Sequence, residues 1–207
     1  MKTLPVEDVT LCAPYPTTLI HGETKYWSDM NSSEPIEKAF RILRQSFRAG
    51  GKLLLCGNGG SAADCEHIVG ELMKGMNNDR FAEGWAPLRP ALPAISLCSQ
   101  VGLLTAIIND MGADWMFAQQ VYGYGKMEDV LLAISTSGKS MNVIRAMEFA
   151  QRKQMYVIGM TGGYTALFDK FCDVVISCPG ETAADVQEQH QRIYHELCLR
   201  LEEEFRQ

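Results

Sequence analysis

The stretch KLLLCGNGGSAAD, residues 52–64, joins an apolar run to a glycine-rich turn and then to the start of a helical pattern. An apolar run of this kind is typical of a buried parallel strand, and the glycines permit a tight turn and close approach of a ligand. The helix that follows points its unpaired N–H groups towards the turn. This junction therefore predicts a strand, an anion-binding loop and a helix in an α/β fold.

Apolar runs alternate with helical patterns along most of the chain. This alternation predicts an α/β protein with a five-stranded parallel sheet flanked by helices, a Rossmann-like three-layer sandwich. The polar, proline-containing residues 76–91 are expected to form a loop. The predicted strands are 52–56, 93–98, 129–135, 155–161 and 172–178, and the predicted helices are 34–49, 61–75, 99–108, 113–122, 139–152 and 184–205.

Composition places the chain among ordinary globular proteins. It has 207 residues, 46% of them hydrophobic and 21% charged, which is enough to bury one substantial core. The net charge is −6 and there is no basic run, so no direct binding of nucleic acid is expected. No stretch of about 18 apolar residues occurs, so no membrane span is expected either.

Cysteine usage and the N-terminus indicate a cytoplasmic protein. The seven cysteines are scattered and form no C-x2-C pair, so they read as reduced, mostly buried thiols. The opening MKTLPVEDVT does not combine a basic segment with an apolar one, as an export signal would. We expect a cytoplasmic location.

A second junction, LLAISTSGKSMNVI at 131–144, is rich in hydroxyl groups. Ser135, Thr136, Ser137 and Ser140 surround a glycine at the start of a helix, a pattern that can enclose a phosphate. A Walker loop is excluded because Ala133 stands where its first glycine is required, and GNGGSA lacks the dinucleotide G-x-G-x-x-G order. Glycine- and serine-rich turns also start helices that bind nothing, so each junction alone leaves that alternative open.

His67 and Glu71 follow the first junction at a spacing of four residues. On a helix they stand about 40° apart, one above the other. This is the spacing of metal ligands or of an acid/base pair, and also of an exposed, solvated ion pair. Its position behind a possible anion site favours the functional interpretations.

The final helical stretch contains a second candidate pair. Gln187 and His195 lie about 80° apart around the axis, so both can face one cavity. His190 lies about 140° from His195 and cannot easily share a small ion with it. A hydrogen-bonded core or surface histidine remains the alternative for His195.

Together these motifs resemble a known family. GNGGS (57–61) with H-x3-E, ND in AIINDMG (106–112), STSGKS (135–140) and Q-E-Q-H-x4-H (187–195) are similar to the sugar isomerase (SIS) domain proteins, and among them to bacterial phosphoheptose isomerases. The resemblance runs from about residue 34 to 205. It implies a single SIS-type domain over 1–207, with an N-terminal helical extension over about 1–50.

The resemblance also implies an activity: conversion of sedoheptulose 7-phosphate to D-glycero-D-manno-heptose 7-phosphate through an enediol. It implies a homotetramer with active sites between subunits, proton transfer by Glu71 and His195, and one Zn²⁺ per subunit, for which we expect partial occupancy. The implied metal ligands are His67, Glu71, Gln187 and His195. The implied substrate-binding residues are Asn58, Gly59, Gly60, Glu71, Asn109, Asp110, Ser135, Thr136, Ser137, Ser140 and Gln187.

Two departures and several alternatives accompany this resemblance. Lys139 stands where an asparagine is common, and the 76–91 loop is longer than usual, which leaves the preferred sugar open. Some SIS relatives are non-catalytic sugar-phosphate-binding or assembly proteins, including a partner of the bacterial replication initiator. Others isomerise pentose phosphates or cleave lactyl ethers. The presence of Glu71 and His195 favours an isomerase over the non-catalytic relatives.

Overall fold

The computed structural model describes residues 34–76 and 91–205; segments 1–33, 77–90 and 206–207 lie outside these ranges. The chain divides into the units Met1–Ser32 and Ser33–Gln207, and every described element belongs to the second. The expected loop at 76–91 lies almost wholly outside the described residues. The single domain over 1–207 and its helical extension over about 1–50 remain predictions.

Strands and helices alternate within the described residues, as the sequence pattern predicts. The strands are β1 (Leu53–Cys56), β2 (Ala94–Ser96), β3 (Val130–Ser135), β4 (Tyr156–Thr161) and β5 (Val174–Ser177). The α-helices are α1 (Glu34–Arg48), α2 (Gly60–Lys74), α3 (Val101–Met111), α4 (Ala118–Tyr124), α5 (Met141–Arg152) and α6 (Ala183–Glu204).

The five strands form one sheet in the order β2-β1-β3-β4-β5. All four neighbouring pairs are parallel. The strand order reverses at β1, which pairs with β2 on one side and with β3 on the other. Ligands of such sheets bind outside the carboxyl ends of the strands at this switch point. The predicted fold class is confirmed, and both glycine-containing junctions lie at that point.

One predicted helix differs from the structure. The segment 113–122 is not continuous: a 3₁₀ turn covers Ala113–Trp115, and α4 begins only at Ala118. The backbone N–H groups of Trp115 and Met116 bond the carbonyl groups three residues earlier, and this tighter winding cannot continue in α-helical register. Between the two pieces, Phe117 is fully buried. Packing of this aromatic side chain therefore coincides with the break that periodicity did not reveal.

Both faces of the sheet are covered. On one face, α4 and α5 pack over the strands around Phe117, Met147 and Phe168, each with 0% exposure. On the other face α6 packs against α1 and α2. The predicted apolar stripe of α1 is buried, namely Ile36, Ala39, Phe40, Leu43 and Phe47. This arrangement is the expected three-layer sandwich.

The long helix α6 has a defined start. Thr182 accepts a hydrogen bond from the backbone N–H of Asp185, and the Asp185 carboxylate accepts one from the backbone N–H of Thr182. This capping box fixes where the helix begins and therefore which residues of α6 face α2. Among the described residues, none of the helices is both long and apolar enough to cross a bilayer.

Candidate active site

The glycine loop, residues 57–60, follows β1 at the switch point. Gly59 has a φ of 57°, a left-handed conformation that a residue with a side chain rarely adopts. A Cβ on Gly60 would collide with the side-chain amide of Gln187 from α6. The loop is therefore shaped by two glycines, and the second lets Gln187 lie directly against its backbone.

The serine loop, residues 135–140, follows β3 and faces the same edge of the sheet. The Ser135 hydroxyl oxygen lies 3.1 Å from that of Ser140 and 3.5 Å from that of Ser137. The Ser140 side chain does not cap α5, and in the first turn of that helix the N–H of Val143 donates to the Asn142 oxygen at 2.9 Å. The N–H groups of Met141 and Asn142 at the start of α5 can still point at an anion. Gly138, with a φ of 64°, makes the turn. Three predicted hydroxyls converge here.

Thr136 takes part in this loop through its backbone. Its carbonyl accepts a hydrogen bond from the N–H of Gly162, at 3.2 Å. Lys139 extends over the ring of Tyr164, with its ammonium 4.8 Å from the ring centroid. The cation that replaces the commoner asparagine is therefore held against an aromatic ring beside the loop.

A pair of amides ties the two loops together. Asn58 donates to the Asn142 oxygen at 2.9 Å, and Asn142 donates to the Asn58 oxygen at 2.8 Å. The family resemblance assigns Asn58 to the substrate, and no sequence motif singles out Asn142. Nothing in the sequence around Asn142 indicates that it pairs with Asn58, because the two residues lie 84 positions apart in the chain.

The histidine face, formed by His67, Glu71 and His195, lies where α2 meets α6. His67 Nε2 is 3.1 Å from Glu71 Oε1, and the rings of His67 and His195 are 5.1 Å apart, edge to face. The His67 side chain is 41% exposed and that of Glu71 17%. The structure thus brings together an imidazole, a carboxylate and a second imidazole. The contact between His67 and Glu71 follows from their helical spacing, whereas the spacing on α6 only permitted His195 to join them.

Burial and charge both act on His195. Burial lowers the pKa of His195, and the neighbouring His67 lowers it further, while Glu71 acts in the opposite direction. A neutral imidazole offers one hydrogen-bond donor and one acceptor, since one nitrogen carries hydrogen and the other a lone pair.

His190 has a different environment from His195 on the same helix. It has 0% exposure, its Nε2 donates to the Thr161 carbonyl at 3.3 Å, and its Nδ1 is buried without a partner among the described residues. Burial lowers its pKa. His190 therefore joins α6 to the end of β4, and the angular argument that separated it from His195 holds.

Asn109 and Asp110 do not join this cluster. Both are exposed at the end of α3, and Asn109 donates to Asp110 at 2.7 Å. Within the described ranges, no hydrogen bond links either side chain to the glycine loop or the serine loop. Most of α3 is exposed, and Ile107 is its only buried residue.

A cavity of about 200 Å³ lies beside Glu71. Its ionisable lining includes two carboxylates, those of Glu71 and Glu202, which would repel a phosphate. The phosphate-binding features thus lie on the serine loop and not here. The cavity is lined by Glu71, Leu72, Gly75, Ala91, Leu92, Cys198, Glu202 and Phe205.

The donor set for a metal is assembled in part. Imidazole and carboxylate groups suit zinc, and three of the four implied ligands meet on the histidine face. Among the described residues, however, no three His, Cys, Asp or Glu side chains form a ready metal-binding group. His67 and Glu71 bond each other instead, and Gln187 lies over Gly60. The residue types fit a loosely held ion whose binding replaces the hydrogen bond between His67 and Glu71.

Sequence comparison identifies the family. A model of the SIS domain matches residues 24–162, which include β1, β3 and both loops. This chain belongs to the SIS domain family. Within the family it is 40% identical over 163 residues to a phosphoheptose isomerase of Rhodospirillum rubrum, covering 79% of this chain and 82% of that protein. It is 44% identical over 166 residues to the phosphoheptose isomerase of Maridesulfovibrio salexigens, covering 80% and 77% respectively.

Solved structures share this fold. Phosphoheptose isomerase GmhA from Neisseria gonorrhoeae superposes with a TM-score of 0.74 at 34% identity, covering 86% of this chain and 91% of that one. A NanR protein of Vibrio vulnificus shares the fold with a TM-score of 0.56 at only 15% identity, covering 83% of this chain and 55% of that one. The fold alone therefore does not decide the chemistry, and the alternatives are separated by site residues and by the more similar relatives.

Proposed function

We propose that this chain is a phosphoheptose isomerase that converts sedoheptulose 7-phosphate to D-glycero-D-manno-heptose 7-phosphate. The observation that carries the proposal is the meeting of His67, Glu71 and His195 across α2 and α6, in a fold whose glycine and serine loops lie at the switch point of the sheet. Relatives about 40% identical over most of the chain bear the name phosphoheptose isomerase. A site for phosphate and a site for proton transfer are the two things this reaction needs.

The chemistry assigns a role to Glu71. Isomerisation of a 2-ketose removes a proton from C1, forms a C1–C2 enediol and returns a proton to C2 of the aldose. A single carboxylate can perform both transfers from one side of the sugar. Glu71 is only 17% exposed, so solvent has little access to its oxygens.

His195 moves protons between the sugar oxygens in this proposal. The oxygen on C2 gains a proton as the ketose becomes the enediol, and the oxygen on C1 loses one as the aldehyde forms. A neutral imidazole can give one proton and take the other. The lowered pKa of His195 supports this role because it favours the neutral ring.

The two loops hold the substrate. Ser135, Ser137 and Ser140 supply hydroxyl donors, and the start of α5 supplies backbone N–H groups, to the C7 phosphate. The glycine loop and the amide of Gln187 lie nearer the histidine face and are proposed to contact the sugar chain. Thr136 and Asn58 complete the proposed substrate contacts on these loops.

A divalent metal, for which zinc is the proposal, would be held by His67, Glu71, Gln187 and His195. Such an ion, when bound, polarises the substrate carbonyl and stabilises negative charge on the sugar oxygens. Nitrogen and oxygen ligands hold zinc less firmly than thiolates do, so partial occupancy is expected.

A homotetramer with active sites between subunits is proposed from the exposed surface of α3. Val101, Leu103, Ile108 and Met111 are exposed apolar side chains on one helix, with Val101 at 70%. Such a surface supports contact with another copy. In such an assembly, the exposed Asn109 and Asp110 would contact the sugar bound by a neighbouring copy. Light scattering tests this, and a fully active monomer would contradict it.

A cytoplasmic location is proposed from the cysteines. The six described cysteines are free, and four of them are buried. Free thiols of this kind are maintained in reducing compartments.

The function is tested by incubating the purified chain with a panel of ketose phosphates that includes pentulose, hexulose and heptulose phosphates. We expect an aldose product, detected by NMR, from sedoheptulose 7-phosphate and much less from the shorter ketoses. The absence of any aldose from the heptulose phosphate, with or without added zinc, would contradict the proposal. A preference for a shorter ketose would assign a different sugar to the same chemistry.

A further inference from the structure

Tyr194 lies behind the histidine face, between two polar groups of α2. Its hydroxyl is 2.9 Å from His67 Nδ1 and 3.4 Å from Asp64 Oδ1. Tyr194 is only 2% exposed. Its ring packs edge to face against the rings of His67 and His195, with centroids 5.5 and 4.9 Å apart. The ring is thus held from both sides, and the hydroxyl is offered two acceptors inside the protein.

A hydroxyl has one hydrogen, so it can donate to only one of these acceptors at a time. Tyr194 can donate to Asp64 Oδ1 at 3.4 Å, a long hydrogen bond, or to His67 Nδ1 at 2.9 Å, an ordinary one, when that nitrogen carries no hydrogen. With Nδ1 accepting, the neutral ring carries its hydrogen on Nε2 and donates it to Glu71 at 3.1 Å. His67 then has no lone pair directed at the cleft.

Asp64 has an unused acceptor in this arrangement. Its Oδ2 is buried and has no hydrogen-bond partner among the described residues, and burial raises its pKa. Among the described residues, the only hydrogen bond of this side chain is the long one from Tyr194 to the other oxygen, Oδ1. A second position of the Tyr194 hydrogen would strengthen that bond, and it leaves Oδ2 unpaired.

The second position reverses the whole chain of hydrogen bonds. If Tyr194 donates to Asp64, its oxygen can accept from His67 Nδ1–H, and the lone pair of His67 moves to Nε2. Nε2 and the Glu71 carboxylate are then two acceptors 3.1 Å apart, a pairing that is stable only with a cation between or beside them. Metal-ligating histidines generally donate their other nitrogen to a second group in this way.

We infer that Asp64, acting through Tyr194, is a positioning residue that sets the tautomer of His67: the Tyr194 hydrogen faces His67 in the metal-free protein and turns to Asp64 when a divalent cation binds. The two hydrogen-bond patterns use the same heavy atoms, so His67 changes from a proton donor to Glu71 into a ligand without moving its ring. The inference rests on the proposed function only in taking His67 and Glu71 as the cation-binding pair.

The tautomer is measured directly by nitrogen NMR of the full chain labelled with ¹⁵N-histidine, above the ordinary histidine pKa of about 6.5. His67→Gln identifies the His67 signals. We expect hydrogen on Nε2 without metal and hydrogen on Nδ1 after addition of Zn²⁺. A His67 tautomer that is the same before and after zinc overturns the inference.

Two variants separate positioning from general stability. Tyr194→Phe removes the hydroxyl alone. Asp64→Asn replaces the acceptor with an amide that can donate to Tyr194 and so retain its hydrogen on His67. Zinc affinity, measured by competition with a chromophoric chelator, should fall about 10- to 100-fold in both, the range typical for outer ligand partners.

Matched controls are Tyr124→Phe, whose hydroxyl accepts only from exposed Gln100, and Asp169→Asn, which accepts from exposed Thr165. Their zinc affinity should equal that of the wild type. Affinity within twofold of wild type in Asp64→Asn overturns the role of Asp64, even if Tyr194→Phe binds poorly. Since neither measurement uses substrate, an inactive enzyme with the expected tautomer change would refute the proposed function and leave this inference standing.

Discussion

The serine loop and the histidine face differ in how they are built. The serine loop comes from one continuous segment, and its hydroxyls lie close together because the backbone turns at Gly138. The histidine face comes from two helices whose side chains meet across 124 to 128 residues of sequence. Its side chains contact one another and do not surround an open space. The first is prearranged for a phosphate, whereas the second must exchange internal hydrogen bonds for bonds to its ligand.

This difference suggests a division of labour. Side chains that the local backbone holds in place can bind the substrate equally well in the ground state and in the transition state. Removing such a side chain changes mainly KM. Side chains that exchange hydrogen-bond partners are suited to proton transfer during the reaction. Removing such a side chain changes mainly kcat. Variants of the two regions should therefore separate the two kinetic constants.

The largest effect is expected on the histidine face. Glu71→Gln keeps the size of the side chain but removes the base, so kcat should fall at least about 100-fold with KM little changed. Steady-state kinetics measure this. Glu66→Gln, an exposed change on the same helix, is the control and should remain active. Full activity of Glu71→Gln would remove this carboxylate from the mechanism.

A comparable effect, on substrate binding rather than on kcat, is expected on the serine loop. The double change Ser135→Ala and Ser137→Ala should weaken substrate binding, since each lost charge-assisted hydrogen bond is worth about 1.5–3 kcal/mol. Calorimetry in a Glu71→Gln background measures affinity without turnover. Ser99→Ala, a hydroxyl bonded to Glu66 outside the loop, serves as the control. Unchanged affinity in the double variant would show that the phosphate binds elsewhere.

Breaking the hydrogen bonds between the glycine loop and the serine loop should have a weaker effect, on both KM and kcat. Asn142→Ala removes two reciprocal hydrogen bonds to Asn58, each worth about 0.5–1.5 kcal/mol. We expect KM to rise about three- to tenfold with a modest fall in kcat, because both loops lose a common support. Normal kinetics, with a normal melting temperature, would show that the loops hold their positions independently.

The smallest effect concerns His190, which lies outside both regions. Its pKa is lowered by burial, so between that value and the ordinary 6.5 the unfolded state binds more protons than the folded state. The free energy of unfolding should thus decline as pH falls through this window. His190→Gln should flatten the decline in urea titrations at a series of pH values. Equal slopes in both proteins would contradict the assigned environment.

The same contrast explains what could be predicted from sequence. The sheet and the serine loop followed from local patterns, because apolar runs and glycine turns act within a few residues. The spacing of His67 and Glu71 was equally local. Asn142, Tyr194 and Asp64 gave no such signal, since their roles arise from contacts between distant segments. The break in 113–122 was missed because it depends on the winding and packing around Phe117.

The most direct test of the account is solvent-deuterium exchange at saturating sedoheptulose 7-phosphate, followed by NMR. The wild type should place deuterium at C2 of the aldose and at C1 of recovered ketose. The Ser135→Ala, Ser137→Ala enzyme should do the same once substrate is saturating, while Glu71→Gln should exchange at least about 100-fold more slowly although it still binds substrate. Exchange at the wild-type rate in Glu71→Gln would contradict proton transfer by Glu71 on the histidine face.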